Sequence, residues 1–162
     1  MYPSTRTKAF AKMKGEQNEC KILPRDLNIV WGSDENQWEI KHGEKGEQGY
    51  ALAKKVMWFE VKATYRGAKA GRKYKVGFNI SLDRDAKGWE GSPVFMMTTV
   101  GFSDDYTWRK LSLEHKDNLS MDDVIEIPVS ARDTTLQFGL YEIWNGKWKN
   151  GLRIHHAFVT QL

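Results

Sequence analysis

The fold class is decided by residues 57–82, MWFEVKATYRGAKAGRKYKVGFNISL. Apolar and polar side chains alternate from Met57 to Tyr65, and the alternation resumes from Tyr74 to Leu82. A period of two indicates a β-strand with one buried face. The segment between the two halves contains glycines, as hairpin connections do. The sequence therefore predicts two antiparallel strands joined by a turn.

Similar short segments, separated by Gly, Asn and Asp, lie on both sides of this hairpin. Only residues 51–55 indicate a helical turn. Because a parallel sheet needs helices between its strands, and the pattern offers none, we expect an all-β fold: an antiparallel β-sandwich of jelly-roll type. The further strand candidates are residues 27–31, 38–41, 94–102, 107–114, 124–129, 136–144 and 152–161.

Length and composition indicate one globular domain. The chain has 162 residues, of which 40% are hydrophobic and 12% aromatic, too many for a disordered chain. It contains no apolar run of about 18 residues, as a membrane span requires, and its first residues lack the apolar stretch of a signal peptide. We expect a cytoplasmic protein that is not secreted by a signal peptide, with the nucleus as a second location.

Positive charge is concentrated at the N-terminus. Residues 1–25 contain six bases and two acids, which leaves nineteen of each in the rest of the chain. We divide the chain into a basic flexible arm, residues 1–24, and a domain, residues 25–162. A neutral domain is a poor binder of duplex nucleic acid, which needs a basic face. The arm could hold RNA weakly, or be a solvated segment without a partner; its bases include Arg6, Lys8, Lys12 and Lys14.

Cys20 is the single cysteine, which excludes an internal disulfide and a zinc site built from cysteines. Within a basic arm its thiol should be accessible to solvent. We therefore expect Cys20 to form an intermolecular disulfide on oxidation.

Motifs for metal binding and catalysis are weak, and we predict no metal, no cofactor and no enzymatic activity. His155 and His156 are adjacent on a predicted strand, so they point to opposite faces and cannot chelate together. The acid pairs at 104–105 and 122–123 lack the ligand spacing of a calcium loop. A glycosidase needs only two carboxylates, whose separation one sequence does not reveal, so that alternative stays open.

Tryptophan placement is the strongest functional indication. The chain has seven tryptophans, and several lie at the ends of predicted strands, where they cannot all be buried. Trp31 and Trp38 flank the polar loop GSDENQ, residues 32–37, which includes Asn36. This arrangement predicts two exposed indoles at the edges of one loop.

A second pair, Trp144 and Trp148, flanks Asn145-Gly146-Lys147, and Asn-Gly predicts a tight two-residue hairpin turn. Indole rings beside carboxylates and amides suit a ligand with CH-rich faces and hydroxyl edges, which describes a sugar. The alternative is that these indoles close the ends of the sandwich. That structural role is favoured for Trp58, in the middle of a strand, whereas Trp89 lies in a predicted loop.

Several blocks of the chain, in their order and spacing, resemble the phloem lectin family (phloem protein 2), which includes the Nictaba-related lectins. The resemblance runs from about Asp26 to Leu162. The blocks are LNIVWGSDENQWEI, VMWFEVKATYRG, RKYKVGFNISLDRDAKGWE, RKLSLE, VIEIPV and LQFGLYEIWNGKWKNGLRIHHAFV.

The resemblance implies a non-enzymatic jelly-roll lectin that binds N-acetylglucosamine oligomers, such as chitin fragments and the glycan cores of glycoproteins. It also implies a cytoplasmic or nuclear plant protein, often a homodimer, and some relatives in phloem sap bind RNA. An RNA-binding phloem carrier that uses the basic arm and exposed aromatics is therefore the alternative function.

The resemblance also implies site residues. Trp31 and Trp38 match the family's paired tryptophans, and Glu142 with Trp148-Lys149 matches its C-terminal block. Trp144 is an extra aromatic residue beside that block. The predicted carbohydrate-binding residues are thus Trp31, Asn36, Trp38, Glu142, Trp144, Trp148 and Lys149.

Overall fold

The computed structural model describes residues 19–44, 49–103, 105–111, 113 and 119–162. This part of the chain forms β-strands and one 3₁₀ turn at Pro24–Asp26. Among the residues described, no helix is long and apolar enough to cross a membrane. The strands are β1 (Glu19–Ile22), β2 (Asn28–Ile29), β3 (Trp38–Lys41), β4 (Tyr50–Ala53), β5 (Phe59–Tyr65), β6 (Lys73–Lys87), β7 (Val94–Val100), β8 (Thr107–Leu111), β9 (Leu119–Glu126), β10 (Leu136–Glu142) and β11 (Asn150–Gln161).

The strands form two antiparallel sheets, which confirms the predicted all-β sandwich. The first sheet has the order β3-β4-β11-β6-β9, and β1 also pairs with β11. β4 and β1 pair with different parts of the same edge of β11: β4 with residues 152–154 and β1 with residues 157–160. The second sheet has the order β2-β5-β10-β7-β8. The hairpin predicted between β5 and β6 is wrong: both strands form, but they lie in different sheets, because β5 pairs with β2 and β10 whereas β6 pairs with β9 and β11.

The core lies between the sheets and is built by the alternation seen in the sequence. Phe78 of β6 and Phe138 of β10 meet across it with ring centroids 5.3 Å apart. Each large apolar side chain buried in this way stabilises the fold by roughly 1.5–3 kcal/mol. The inward residues of β5 and β6 include Phe59, Val61, Ala63, Tyr65, Tyr74, Val76, Phe78 and Ile80, all buried.

The helical turn expected at residues 51–55 is wrong. Tyr50–Ala53 form β4, which pairs with β3 on one side and β11 on the other. Ala51 and Ala53 are completely buried. Pairing along both edges overrides the helix propensity of alanine, because the interior strand needs small side chains there.

The expectations for Cys20 and for the arm need correction. Residues 19–22 form β1, and Cys20 lies opposite Val159 of β11 with its side chain completely buried. The thiol is therefore not accessible, and the sandwich includes strand residues placed in the predicted arm of residues 1–24. Residues 1–18, with the remaining bases of that arm, lie outside the described residues.

Candidate functional site

The connection from β10 to β11 presents two of the predicted tryptophans to solvent. Trp144 and Trp148 are 56% and 53% exposed. Between them Gly146 has a φ of 67°, and the Asn145 side chain accepts a hydrogen bond from the Lys147 backbone N–H at 2.9 Å. This turn is only part of the connection between the two strands, which spans residues 143–149. The predicted two-residue hairpin is therefore wrong.

A buried ion pair holds the base of this loop. Lys149 Nζ lies 2.7 Å from Glu142 Oε1, and both side chains are almost completely removed from solvent. Nζ also donates to the backbone oxygens of Met57 and Lys147, each at 2.9 Å, and to Asn145 Oδ1 at 3.2 Å. Its protons are all engaged within the protein. Lys149, predicted to bind the ligand, instead positions the loop.

A groove with a volume of about 520 Å³ lies beside the loop, in the size range of small-molecule sites. It brings together Glu142 and Trp144, two predicted site residues, with aromatic side chains of β7 and β8. We call it the aromatic groove. It is lined by Gly91, Ser92, Pro93, Phe95, Met97, Trp108, Glu142, Trp144 and Asn145.

Strand pairing places the rings of the aromatic groove. Val94 and Met96 of β7 are buried in the core, so the alternate residues Phe95 and Met97 face outward. Trp108 of β8 pairs with Met97 and is 60% exposed. The Phe95 ring centroid lies 5.5 Å from that of Trp108 and 5.1 Å from that of Trp144. Phe95 therefore joins two exposed indoles into one continuous surface.

The polar groups of the aromatic groove lie toward the loop. Asn145 donates a hydrogen bond to Ser92 Oγ, and Glu142 Oε2 accepts the Trp144 backbone N–H at 3.3 Å. Nearby, burial raises the pKa of Tyr141, the cross-strand neighbour of Phe95, to about 12, which keeps its hydroxyl protonated. The groove thus offers ring faces along its length and hydrogen-bonding groups at one end.

The structure separates Trp31 from Trp38. Trp31 is 58% exposed and has a φ of 63°, which is uncommon for a residue other than glycine. Trp38 is only 2% exposed and stacks on Phe59 with centroids 5.9 Å apart. The prediction that Trp38 is an exposed binding residue is wrong, because the first residue of β3 faces the core. Asn36 between them is exposed.

A second aromatic surface lies at the same end of the sandwich, outside the groove lining. The Val30 N–H donates to the Glu60 backbone oxygen at 3.0 Å, and Trp58 Nε1 donates to Glu60 Oε1 at 2.9 Å. Val30, the residue before Trp31, and Trp58 thus both bond to Glu60. Trp148 lies under Lys55, whose Nζ is 5.0 Å from the ring centroid. We call this end, with Trp31, Trp58, Trp144 and Trp148 exposed, the tryptophan end.

The exposure of Trp58 differs from the expectation, and Trp89 lies in a loop, as predicted, with its indole in the core. Trp58, for which a structural role was favoured, is 45% exposed, whereas Trp89 is buried and donates from Nε1 to the Asn150 backbone oxygen at 2.9 Å. Sequence reasoning also missed Phe95 and Trp108. The period-two pattern of residues 94–102 places Phe95 on the outward face, but only the pairing with β8 shows that Trp108 lies beside it.

The family model and the related sequences indicate one family. The family model described as phloem protein 2 matches residues 17–160. Protein PHLOEM PROTEIN 2-LIKE A9 of Arabidopsis thaliana is 36% identical over 98% of this chain and 97% of its own length. PHLOEM PROTEIN 2-LIKE A1 of the same plant is 24% identical over 82% of this chain and 57% of its own length.

Among solved structures, the one described as "Family 16 Carbohydrate Binding Module-2" superposes with a TM-score of 0.51 over 76% of this chain and 85% of its own, at 11% identity. That likeness concerns the fold. The family match covers nearly the whole described sandwich, from β1 into β11. The chain belongs to the phloem protein 2 family.

Proposed function

We propose that this protein is a lectin that binds N-acetylglucosamine oligomers, including chitin fragments and glycoprotein glycans, in the aromatic groove. One observation carries the proposal: Trp108, Phe95 and Trp144 form a continuous ring surface that ends at Glu142 and Asn145. Membership in the phloem protein 2 family supports it. We further infer that it acts by binding alone, without catalysis, as a homodimer located in the cytoplasm, including phloem sap, and in the nucleus.

The chemistry of the ligand fits the chemistry of the groove. A sugar unit of this type has a CH-rich face that an indole can cover, an acetamide methyl group and an amide N–H. The ring faces of Trp108 and Trp144 suit the first two groups. The carboxylate of Glu142 and the amide of Asn145 suit the polar edge, although both are already hydrogen-bonded in the protein. Their role is therefore mainly to hold a preformed site.

Affinity should depend on oligomer length. Each ring contact contributes about 1 kcal/mol, so a single sugar unit should bind at about millimolar Kd. A longer oligomer reaches both indoles across Phe95 and should bind more tightly. A homodimer would add avidity on multivalent glycans.

Calorimetric titration with a chitin trisaccharide tests the proposal. Trp108→Ala and Trp144→Ala should each weaken binding about tenfold, by analogy with aromatic stacking on bases. Phe102→Ala removes an equally exposed aromatic ring at the opposite end of the sandwich and is the matched control. Unchanged affinity in both tryptophan variants would place the sugar elsewhere, and Trp31→Ala would then examine the neighbouring surface.

RNA binding is the alternative, and it rests on the basic residues before Glu19, outside the described part of the chain. An electrostatic RNA complex should weaken steeply with salt, whereas sugar stacking should hardly change. Titrations of RNA and of trisaccharide at two salt concentrations distinguish the two functions. RNA binding that survives removal of residues 1–18 would contradict the arm as its source.

A further inference from the structure

The end of the sandwich opposite the tryptophan end carries a cluster of basic side chains. Strand β5 begins after Trp58, at the tryptophan end, and ends before Arg66, at the opposite end of the sandwich. The loop from β5 to β6, residues 66–72, reads RGAKAGR and contains three cations and no acid, and Lys73 at the start of β6 adds a fourth cation. Arg66, Lys69, Arg72 and Lys73 are all exposed, as is Arg132 in the loop from β9 to β10. We call this the basic end.

The two loops of the basic end are fixed to one another. Gly71 N–H donates to the Ile127 oxygen at 2.8 Å, and Ile127 N–H donates to the Arg72 oxygen at 2.9 Å. Thr134 Oγ1 donates to the Ala68 oxygen at 2.8 Å. The cations therefore project from a hydrogen-bonded platform, which limits the conformational freedom lost when a partner binds.

Exposed apolar side chains accompany the cations. Val129 is 85% exposed, and a Cβ at Gly71 would lie 3.4 Å from its Cγ2. Phe102 is 50% exposed with a φ of 58°, and the Arg66 guanidinium lies 6.0 Å from its ring centroid. Strained backbone holding an exposed aromatic residue is found more often at functional sites than elsewhere.

The carboxylates nearby only partly offset these cations. Glu126 lies opposite Lys73 in the β6–β9 register, and Asp133 accepts the Thr135 N–H at 2.9 Å. Asp105 is exposed in the β7–β8 loop. The five exposed cations named above thus outnumber these three carboxylates, and residues 66–72 contain no acidic residue.

We propose that the basic end docks on an anionic lipid surface. A surface with exposed apolar side chains among cations is suited to a membrane interface, where the apolar groups enter the headgroup region and the cations meet acidic lipids. The docked protein presents its tryptophan end to the solvent. This surface is independent of the aromatic groove.

Co-sedimentation with lipid vesicles tests the proposal on the full chain. Wild-type protein should bind vesicles of phosphatidylcholine with phosphatidylserine, release them at high salt, and not bind vesicles of phosphatidylcholine alone. Neutralising one cation should weaken binding roughly fivefold, so Lys69→Glu with Arg72→Glu should lower it more than tenfold. Val129→Asp should weaken binding at low salt.

Lys87→Glu is the matched control, because it reverses an exposed charge at the other end of β6. Thermal melts should show that all variants are folded. Equal loss in the control and the double variant would overturn the proposal, as would binding of a homopolymeric RNA through Lys69 and Arg72 without vesicle binding. Trisaccharide binding should be unchanged in every variant, which separates this test from that of the sugar site.

Discussion

Trp31 and Trp38 lie close in sequence but in different environments, so truncating them should have different consequences. Trp38→Ala leaves a cavity against Phe59 in the core and should lower the free energy of unfolding by about 3–5 kcal/mol. Trp31→Ala removes an exposed ring and should change stability by less than about 1 kcal/mol. Urea denaturation of both variants measures the difference. Equal stabilities would mean that Trp38 is not a core residue.

Lys149 should be among the residues least tolerant of substitution. Lys149→Met leaves the buried Glu142 carboxylate and two backbone oxygens without their donor, and breaking a buried pair in this way costs about 3–5 kcal/mol. Lys147→Met, an exposed neighbour in the same loop, should be nearly neutral. Chemical denaturation compares the two. A stable Lys149→Met protein that has lost sugar binding would restore Lys149 as a ligand contact.

For single residues, the sequence predicts which residue types line the site better than it predicts whether each side chain is buried or exposed. Glu142, implied by the family resemblance, and Trp144, predicted from its position beside the Asn145-Gly146 turn, both line the aromatic groove. Whether Trp38 faces the core depends on which side of β3 packs against β5, a contact between distant segments. Loop position alone could not decide it, since an indole is equally suited to a core and to a sugar site.

Among the elements, β1 is the strand that the sequence pattern does not predict, because four residues are too few to show a clear alternation of apolar and polar side chains. Removing residues 1–18 keeps β1, whereas removing residues 1–24 strips it from β11 and exposes the partners of Cys20 and Ile22. Losing these two buried side chains should cost about 3–5 kcal/mol. Thermal melts of the two truncations provide the comparison. Identical melting temperatures would show that β1 contributes nothing to the fold.

Because Cys20 is buried, its oxidation should depend on whether β1 is paired with β11. The thiol is completely buried in β1, so a thiol reagent should react slowly with native protein and rapidly in denaturant. An intermolecular disulfide should therefore form only when β1 leaves the sheet. Thiol titration with and without urea measures both rates. Fast labelling of the native protein would support the original expectation of an accessible thiol.

For the whole molecule, stability should decline in mild acid. Burial, as the main cause, lowers the pKa of His155 and His156 below the ordinary value of 6.5, and neighbouring cations act in the same direction. As the pH falls below about 6.5, these two histidines bind protons in the unfolded chain before they do so in the folded protein. Their contribution to the free energy of unfolding is therefore fully present above that pH and is lost below it. Replacing both by Gln should flatten a melting-temperature profile from pH 5 to 8. His42→Gln replaces an exposed histidine and should leave the shape of this profile unchanged.

The fold as a whole was predictable because it rests on alternation within single strands such as β5 and β6. The partner of each strand was not, since antiparallel pairing leaves little trace in one sequence. The aromatic groove depends on that missing information. Phe95 and Trp108 become neighbours only through the β7–β8 register, so the sequence could supply the rings but not the surface they form.

The central place of β11 in the first sheet has a consequence for biosynthesis. This strand leaves the ribosome after every other strand described, yet it joins β6 to both β4 and β1. A nascent chain that ends before Asn150 therefore has those three strands without their shared partner, and the first sheet is split. Such a chain is prone to aggregate and should need chaperones until β11 has been synthesised. The sandwich can close only after translation of β11 is complete.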